Sequence, residues 1–321
     1  MSENVLSVHN LHVVYKSDRE IVSAVNGISF DLKNRETLGI VGETGAGKTT
    51  TALSIMRLLP QYSAKITEGN LSYLDRDLLS CSESEMRKIR GEQIAMIFQD
   101  PMTALNPVLT IGNQIGESIM FHNPKMGKDE IEQKVDETLR LVSIPPARKN
   151  DYPHQFSGGM KQRVIIAMAL ACKPAVLIAD EPTTALDVTI QAQILRMIQD
   201  LKEEMNTSMI LITHDLGIIV QMCDRVAVMY SGEIVEYGTT KDIFTAADKH
   251  PYTKGLFGSI PNLKKKTRRL NPIPGLMPDP TNLPTGCPFS PRCPYKLSMC
   301  ATVKPMEHVA DTHHIKCHLF N

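Results

Sequence analysis

The chain has 321 residues, of which 42% are hydrophobic, and its 35 basic side chains balance 35 acidic ones. A chain of this length can bury a substantial core, while zero net charge removes the strong basic field expected of a protein that grips nucleic acid through its phosphates. No apolar run approaches the roughly 18 residues needed to span a bilayer. Residues 1–6 lack the features of a secretory signal, so we expect a cytosolic protein with reduced cysteines.

Residues 4–37 alternate apolar and polar positions, which predicts antiparallel strands. We expect turns at Ser17-Asp18 and at Asn26-Gly27, where turn-forming residues interrupt the alternation. Tyr15 lies in this layer.

A glycine-rich loop follows the apolar run 38–41 and precedes a helical stretch that we expect to end at Leu59, before Pro60. The loop and the start of its helix comprise Gly42, Glu43, Thr44, Gly45, Ala46, Gly47, Lys48, Thr49 and Thr50. Glycines let the backbone wrap a phosphate closely, and a helix N-terminus directs amides and partial positive charge at it. The pattern predicts a nucleoside triphosphate site in which Lys48 reaches the β- and γ-phosphates and Thr49 ligates Mg²⁺.

Residues 94–98 read as a buried strand that ends just before Gln99, and residues 107–173 read as mostly helical. Within that helical part, apolar residues recur at helical spacing after Gly127, which predicts one amphipathic helix.

Two further apolar strands end in polar residues. Residues 175–180 lead to the carboxylates Asp180 and Glu181, and residues 209–213 lead to His214. Strands and helices alternate here as in a mostly parallel α/β sheet, in which ligands bind at the carboxyl ends of the strands. Carboxylates at such an edge suit a metal–phosphate site.

A second phosphate-facing device is Ser157-Gly158-Gly159, which opens onto a helix. It offers a hydroxyl, unobstructed amides and the positive end of a helix dipole. One nucleotide does not need two such devices, so the simplest use is across a dimer.

Together these motifs resemble those of the ATP-binding cassette (ABC) ATPases, and the resemblance covers nearly the whole chain. The matching segments are the Walker A loop Gly42 to Thr49, the Q-loop Gln99, the signature Ser157-Gly158-Gly159, the Walker B pair Asp180-Glu181, the D-loop Ala185-Leu186-Asp187 and the switch His214. The outer signature residues, Phe156 and Met160, depart from the commonest Leu-Ser-Gly-Gly-Gln form without touching its Ser-Gly-Gly core.

The resemblance implies a role for each matching residue. Lys48 and the loop amides would hold the phosphates of ATP. Three residues would bind Mg²⁺: Thr49, Asp180 and Gln99. Glu181 would polarise the attacking water, and His214 would contact the γ-phosphate. Tyr15 resembles the aromatic residue that stacks on adenine. Two composite sites would form head to tail, each signature and D-loop closing the nucleotide of the other subunit.

The chain is also similar to the peptide-permease branch of that family, in residues 98–107, 250–253 and the C-terminal segment 283–294. We therefore identify it as a D-type ATPase subunit that powers uptake of dipeptides or oligopeptides. Such a subunit pairs with a related F-type ATPase, or with itself, on the cytoplasmic face of the membrane beneath two permease subunits fed by an extracytoplasmic binding protein. Nickel, glutathione or an oligosaccharide are alternative cargoes, and a soluble ATP-gated clamp on nucleic acid or ribosomes is the alternative class.

Four cysteines lie close together near the C-terminus: Cys287, Cys293, Cys300 and Cys317. Their gaps of five, six and sixteen residues lack the paired spacing usual for structural zinc. Four reduced thiolates suffice for a [4Fe-4S] cluster, which some similar ATPases carry, so we predict iron–sulfur over zinc. Four unconnected thiols are the alternative.

The predicted fold is therefore α/β. Residues 1–245 would form the nucleotide-binding domain, with a RecA-like parallel sheet, an N-terminal antiparallel layer and a helical subdomain inserted at about 105–173. Prolines become frequent after residue 245, so residues 246–321 would form a small irregular module that contains the cysteines.

Overall fold

A computed structural model describes residues 4–17, 20–99, 104–184, 186–259 and 272–320. The chain divides into two compact units. Unit 1 comprises Met1–Leu6, Leu32–Thr37 and Tyr73–Ile212, and unit 2 comprises Ser7–Asp31, Leu38–Ser72 and Thr213–Asn321.

The strands are Asn4–Lys16 (β1), Ile21–Lys33 (β2), Thr37–Val41 (β3), Ala64–Tyr73 (β4), Arg76–Asp77 (β5), Ile94–Ile97 (β6), Val176–Asp180 (β7), Ser208–Ile212 (β8), Arg225–Tyr230 (β9), Glu233–Thr239 (β10), Glu307–Ala310 (β11) and His313–Lys316 (β12). The α-helices are Lys48–Ile55 (α1), Glu83–Ile89 (α2), Ile111–His122 (α3), Lys128–Leu141 (α4), Gly158–Leu170 (α5), Val188–Met205 (α6), Leu216–Met222 (α7), Thr240–Thr245 (α8) and Pro251–Gly258 (α9). Short 3-10 helices span Pro146–Asn150, Pro153–Gln155 and Ser298–Ala301.

Unit 1 contains the parallel strands predicted before the carboxylate pair. β7 lies between β6 and β8, with Val176 opposite Ile94 on one side and Ser208 on the other. Every residue of these three strands is buried, as expected for a parallel sheet covered on both faces. The α/β fold expected from the sequence is thus confirmed.

The helical part of unit 1 also follows the sequence pattern. α4 begins after Gly127 and buries Val135, Thr138 and Leu139, which confirms the predicted amphipathic helix. Burial of one stripe, with charged residues on the opposite face, is what holds such a helix in place.

Unit 2 contains a mixed sheet in which β3 and β9 are parallel and β9, β10, β12 and β11 follow in antiparallel pairs. β12 extends this sheet by pairing Ile315 with Glu236 and His314 with Tyr237. The C-terminal segment, predicted to be irregular, therefore contributes a hairpin. Its strands have four residues each, too few for an alternating pattern to be recognised.

A second sheet in unit 2 has the neighbours β2, β1 and β4, in agreement with the predicted N-terminal β layer. The turn predicted at Asn26-Gly27 is wrong, because β2 continues through both residues. Gly27 adopts a φ of 78° there, and a Cβ at this position would lie 3.0 Å from His12 Nε2. A glycine inside a strand marks such a close approach as well as a turn.

Helix α1 ends at Ile55 and not at Leu59, since Arg57 adopts a left-handed φ of 49° before Pro60 is reached. None of the helices in the described part of the chain is both long and apolar enough to cross a membrane.

Candidate functional site

The glycine-rich loop connects the buried strand β3 to α1 in unit 2. Gly47 precedes the helix with a φ of 97°, and among the described residues no side chain caps the first turn of α1. The first amides of a helix have no partner within the helix. The loop therefore presents backbone donors and the positive end of the helix dipole, which is the arrangement that binds phosphate.

Two glycines of this loop occupy places that a side chain cannot share. A Cβ on Gly42 would overlap the carbonyl oxygen of Met229, and a Cβ on Gly47 would lie 2.5 Å from that of Ala24. Both glycines also adopt positive φ, at 156° and 97°. The loop is thus a backbone cradle, and its residues fit a bound triphosphate.

Lys48 is held inside this cradle. Its side chain is buried, and Nζ donates hydrogen bonds to the carbonyl oxygens of Gly42 at 2.8 Å and Glu43 at 3.0 Å. The ammonium group therefore lies inside the loop, within reach of a phosphate bound there.

The remaining loop residues differ in exposure. Thr44, Gly45 and Thr49 are exposed, Thr50 is half-buried and Ala46 is buried. The side chain of Thr50 links the loop helix to β1, because its Oγ1 lies 3.4 Å from Tyr15 Oη. Tyr15, the predicted adenine-stacking residue, is itself half-buried.

The Walker B carboxylates follow β7 in unit 1. Asp180 is the last residue of the strand and is buried. Glu181 adopts a left-handed φ of 45°, and its Oε2 accepts hydrogen bonds from Gln99 Nε2 at 3.0 Å and Thr184 Oγ1 at 2.9 Å. The structure thus joins two predicted site residues, Gln99 and Glu181, and adds a third that the sequence analysis missed, Thr184.

The signature lies at the start of α5. The Oγ of Ser157 accepts a hydrogen bond of 3.4 Å from the Met160 amide and so caps its own helix. A Cβ on Gly159 would lie 2.5 Å from Ile190 Cγ2 on α6. Close packing of the two helix starts therefore requires glycine here, while the Ser157 and Gly158 positions are exposed.

The other motif residues are exposed ends of elements. Asp187 caps α6 by accepting a 3.0 Å hydrogen bond from the Ile190 amide, and His214 follows β8 at the surface. Ala185 of the D-loop and residues 100–103 of the peptide-permease motif lie outside the described residues.

Glu43 has partners that the sequence analysis did not foresee. Its amide donates a 2.9 Å hydrogen bond to Tyr252 Oη, and its carboxylate pairs with Arg292 at 2.6 Å. The sequence indicates only that residues 250–253 are similar to the peptide-permease branch, and it assigns no role to Arg292. The one feature of the sequence that could have drawn attention to Arg292 is its position between Pro291 and Cys293 in a proline-rich segment.

The four C-terminal cysteines are free thiols in unit 2, and all but the half-buried Cys293 are buried. Burial raises the pKa of Cys287 to about 12 and raises that of Cys293 and Cys317. Within the described ranges, no three His, Cys, Asp or Glu side chains are arranged to hold a metal ion. The predicted [4Fe-4S] site is therefore not supported by this geometry.

Known proteins show similarity to both parts of the chain. The ABC transporter family matches residues 25–184, and the oligopeptide/dipeptide transporter C-terminal region matches residues 235–300. The dipeptide transport ATP-binding protein DppD of Bacillus subtilis is 54% identical over 320 residues, which is 99% of this chain and 95% of the relative. The oligopeptide transport ATP-binding protein OppD of Escherichia coli is 47% identical over 308 residues, 95% of this chain and 90% of the relative.

Among solved structures, the ATP-binding cassette MJ0796, in a dimeric post-hydrolysis state bound to ADP and Pi, matches with a TM-score of 0.66 and 29% identity. The match covers 73% of this chain and 98% of that one. Since the similarity includes the phosphate loop, the Walker B strand and the C-terminal region, the chain belongs to the ABC transporter family, as an ATP-hydrolysing cassette.

Proposed function

We propose that this chain is the ATPase subunit of an importer that carries dipeptides or oligopeptides. The observation that carries the proposal is the match of residues 235–300 to the oligopeptide/dipeptide transporter C-terminal region. It is supported by relatives named as dipeptide and oligopeptide transport ATP-binding proteins, which are similar over more than nine-tenths of this chain.

In this function, the loop amides and Lys48 bind the phosphates of ATP, and Tyr15 stacks on the adenine. Thr49, Asp180 and Gln99 hold Mg²⁺, whose preferred ligands are oxygen atoms. The support is the uncapped start of α1 and the glycine positions that leave no room for a Cβ.

Bound Mg-ATP supplies the phosphoanhydride bond, and the chain supplies a base and positioning groups. Glu181 orients water and accepts its proton, while Thr184 and Gln99 hold the Glu181 carboxylate by its Oε2. His214 contacts the γ-phosphate. These two hydrogen bonds fix the orientation of the carboxylate, and a general base must be positioned within reach of the proton that it accepts.

The cargo can be tested in the producing cell. Deletion of the gene should abolish uptake of a radiolabelled dipeptide, and the wild-type gene should restore it while a Lys48→Ala variant should not. Loss of nickel, glutathione or oligosaccharide uptake with dipeptide uptake intact would contradict the peptide assignment.

We further propose a dimer in which Ser157 and Asp187 of one chain close the nucleotide of the other. The partner is a homologous F-type ATPase or a second copy of this chain. The pair acts at the cytoplasmic face of the membrane, bound to two permease subunits that receive cargo from an extracytoplasmic binding protein.

The dimer can be tested with Ser157→Arg. The variant should bind nucleotide normally as an isolated chain and abolish ATP hydrolysis by the assembled transporter. Loss of nucleotide binding by the isolated chain would contradict the cross-dimer role. Copurification with nucleic acid in place of membrane proteins would favour the soluble-clamp alternative.

We retain the proposal that residues 246–321 form a C-terminal module with a [4Fe-4S] cluster on Cys287, Cys293, Cys300 and Cys317. Its support is that the four cysteines lie in one segment of the chain. The pKa of three of these thiols is raised, so they would have to release their protons on binding iron. Protein purified anaerobically should be brown and contain about four irons per chain. A colourless protein with one zinc, or with no metal, would contradict the proposal.

A further inference from the structure

Arg292 uses its whole guanidinium group to connect three parts of unit 2. Its Nη1 and Nη2 donate to the two carboxylate oxygens of Glu43 at 2.6 and 3.1 Å. Nη1 also donates to Tyr230 Oη at 3.3 Å, Nη2 to the Ile273 carbonyl at 3.3 Å and Nε to the Pro274 carbonyl at 3.1 Å. Guanidinium has five N–H donors, so every donor has an acceptor, and the side chain is only 5% exposed.

Glu43 is correspondingly fixed through each of its polar groups. The amide donates to Tyr252 Oη, the carbonyl accepts from Lys48 Nζ, and the carboxylate pairs with Arg292. The pairing with Glu43 raises the pKa of Arg292 above its ordinary value, so this arginine stays charged. The second residue of the phosphate loop therefore has its backbone and its charge determined by the C-terminal part of the chain.

The segment 272–280, which we call the proline-rich strap, contacts the same loop. A Cβ on Gly45 would lie 3.0 Å from Met277 Cε, so this methionine lies against the loop backbone. The Pro280 carbonyl accepts a 3.0 Å hydrogen bond from the Ser23 amide of β2. The strap is thus attached on one side to Arg292 and on the other to the N-terminal layer.

Arg292 donates to a tyrosine that belongs to a buried aromatic cluster. Tyr230, Tyr252 and Phe289 are fully buried, and their ring centroids lie 4.6 to 5.5 Å apart. Arg292 itself sits in a turn closed by a 3.0 Å hydrogen bond from its amide to the Phe289 carbonyl. Close-packed aromatic rings resist displacement, so the position of the guanidinium is well defined.

We propose that Arg292 is a positioning residue for nucleotide binding, which holds the phosphate loop in its binding shape through Glu43. The fork geometry matters as well as the charge, because a bidentate guanidinium fixes the carboxylate in two directions and an ammonium does not. Neutralising Glu43 also removes a negative charge that would repel the phosphates. The inference rests on the proposed role of the loop in binding ATP.

The test is an equilibrium titration of the purified full chain with a fluorescent ATP analogue and Mg²⁺. Arg292→Gln should weaken binding about tenfold, within the range typical of coupling between sites, and Arg292→Lys should recover only part of the loss. Tyr252→Phe, which keeps the ring and removes the acceptor for the Glu43 amide, should weaken binding less than Arg292→Gln. The Tyr252→Phe variant tests the role of the Glu43 contacts even if Arg292→Gln does not fold.

Lys304→Met is the matched control, because Lys304 forms a 2.7 Å ion pair with Glu233 in the same unit without contacting the loop. It should bind the analogue as the wild type does. Thermal unfolding without nucleotide provides a second readout, since a merely structural role would lower the unfolding temperature and leave the affinity of the folded protein unchanged.

Wild-type affinity in Arg292→Gln or in Arg292→Lys would overturn the inference, as would wild-type affinity in Tyr252→Phe if the arginine variants do not fold. Lys48→Ala separates this failure from that of the loop assignment. If Lys48→Ala loses binding while the Arg292 variants do not, only the positioning role is wrong. If Lys48→Ala binds normally, the phosphate-loop assignment is wrong as well.

Discussion

The loop after β3 and the turn after β7 each follow a buried parallel strand and each contain a glutamate, but the two carboxylates have different partners. Glu43 is paired with the fixed positive charge of Arg292. Glu181 accepts hydrogen bonds from two neutral groups, those of Gln99 and Thr184. A bidentate guanidinium fixes a carboxylate in two directions, so the pairing with Arg292 holds the loop that contains Glu43. The hydrogen bonds from Gln99 and Thr184 instead orient the carboxylate of Glu181.

The two regions also differ in where unusual backbone conformation is found. In the loop after β3, positive φ occurs at glycines, which adopt it at no steric cost. In the turn after β7, Glu181 itself has a φ of 45°. Such a conformation in a residue with a side chain costs of order 1–3 kcal/mol and is concentrated at functional sites. Glycines therefore provide the unusual conformations of the binding loop, whereas in the turn after β7 such a conformation falls on the glutamate that we propose as the base.

The largest expected effect is that of Glu181→Gln. Removal of the base should lower the rate of ATP hydrolysis by a factor on the order of 10²–10⁴ while nucleotide binding is retained. Steady-state hydrolysis by the assembled transporter and equilibrium binding by the isolated chain measure the two quantities. Glu43→Gln provides the contrast, because it should change nucleotide affinity and KM with a much smaller effect on kcat. Wild-type turnover in Glu181→Gln would sink the assignment of the base.

A smaller effect is expected from Gly47→Ala, which places a Cβ 2.5 Å from the Ala24 carbonyl. The clash and a φ of 97° should distort the loop and weaken binding of a fluorescent ATP analogue about tenfold, for strain of roughly 1–3 kcal/mol. Gly116→Ala is the matched control, since the nearest atoms would lie 3.6 Å from the new Cβ in α3. Equal affinities in the two variants would show that the loop tolerates a side chain.

The smallest effect is expected from Thr184→Val, which keeps the shape of the side chain and removes one donor to Glu181. A neutral hydrogen bond contributes about 1 kcal/mol, so the rate of hydrolysis should fall about fivefold with no change in nucleotide affinity. Single-turnover hydrolysis measures this loss directly. A loss as large as that in Glu181→Gln would mean that Thr184 has a direct part in the reaction and does not only orient the carboxylate.

The parts of this molecule that could be predicted from the sequence are those encoded in short stretches. The run before Gly42 and the run before Asp180 showed two buried strands with polar ends, and the spacing after Gly127 showed α4. Such patterns depend only on residues close in the chain. They were sufficient for the α/β fold.

The parts that could not be predicted depend on contacts between distant residues. Arg292 is separated from Glu43 by 249 positions, and an arginine in a proline-rich segment gives no indication of its partner. Gly27 suggested a turn, yet it lies within β2, where an added Cβ would be 3.0 Å from His12 Nε2. The hairpin of β11 and β12 was missed because its strands are short and β12 is held by pairing with β10, which no local pattern indicates.

The distance in sequence between Glu43 and Arg292 also sets an order in time. A ribosome adds about 5–20 residues per second, so Arg292 is added roughly 12–50 s after the phosphate loop has been synthesised. Throughout that interval the nascent chain contains Lys48 and the loop glycines but lacks the guanidinium that pairs with Glu43. If Arg292 positions the loop, unfinished chains bind nucleotide weakly, and full affinity is acquired only when the C-terminal segment has been synthesised and packed. A chain interrupted before residue 292 would then bind ATP more weakly than the finished chain.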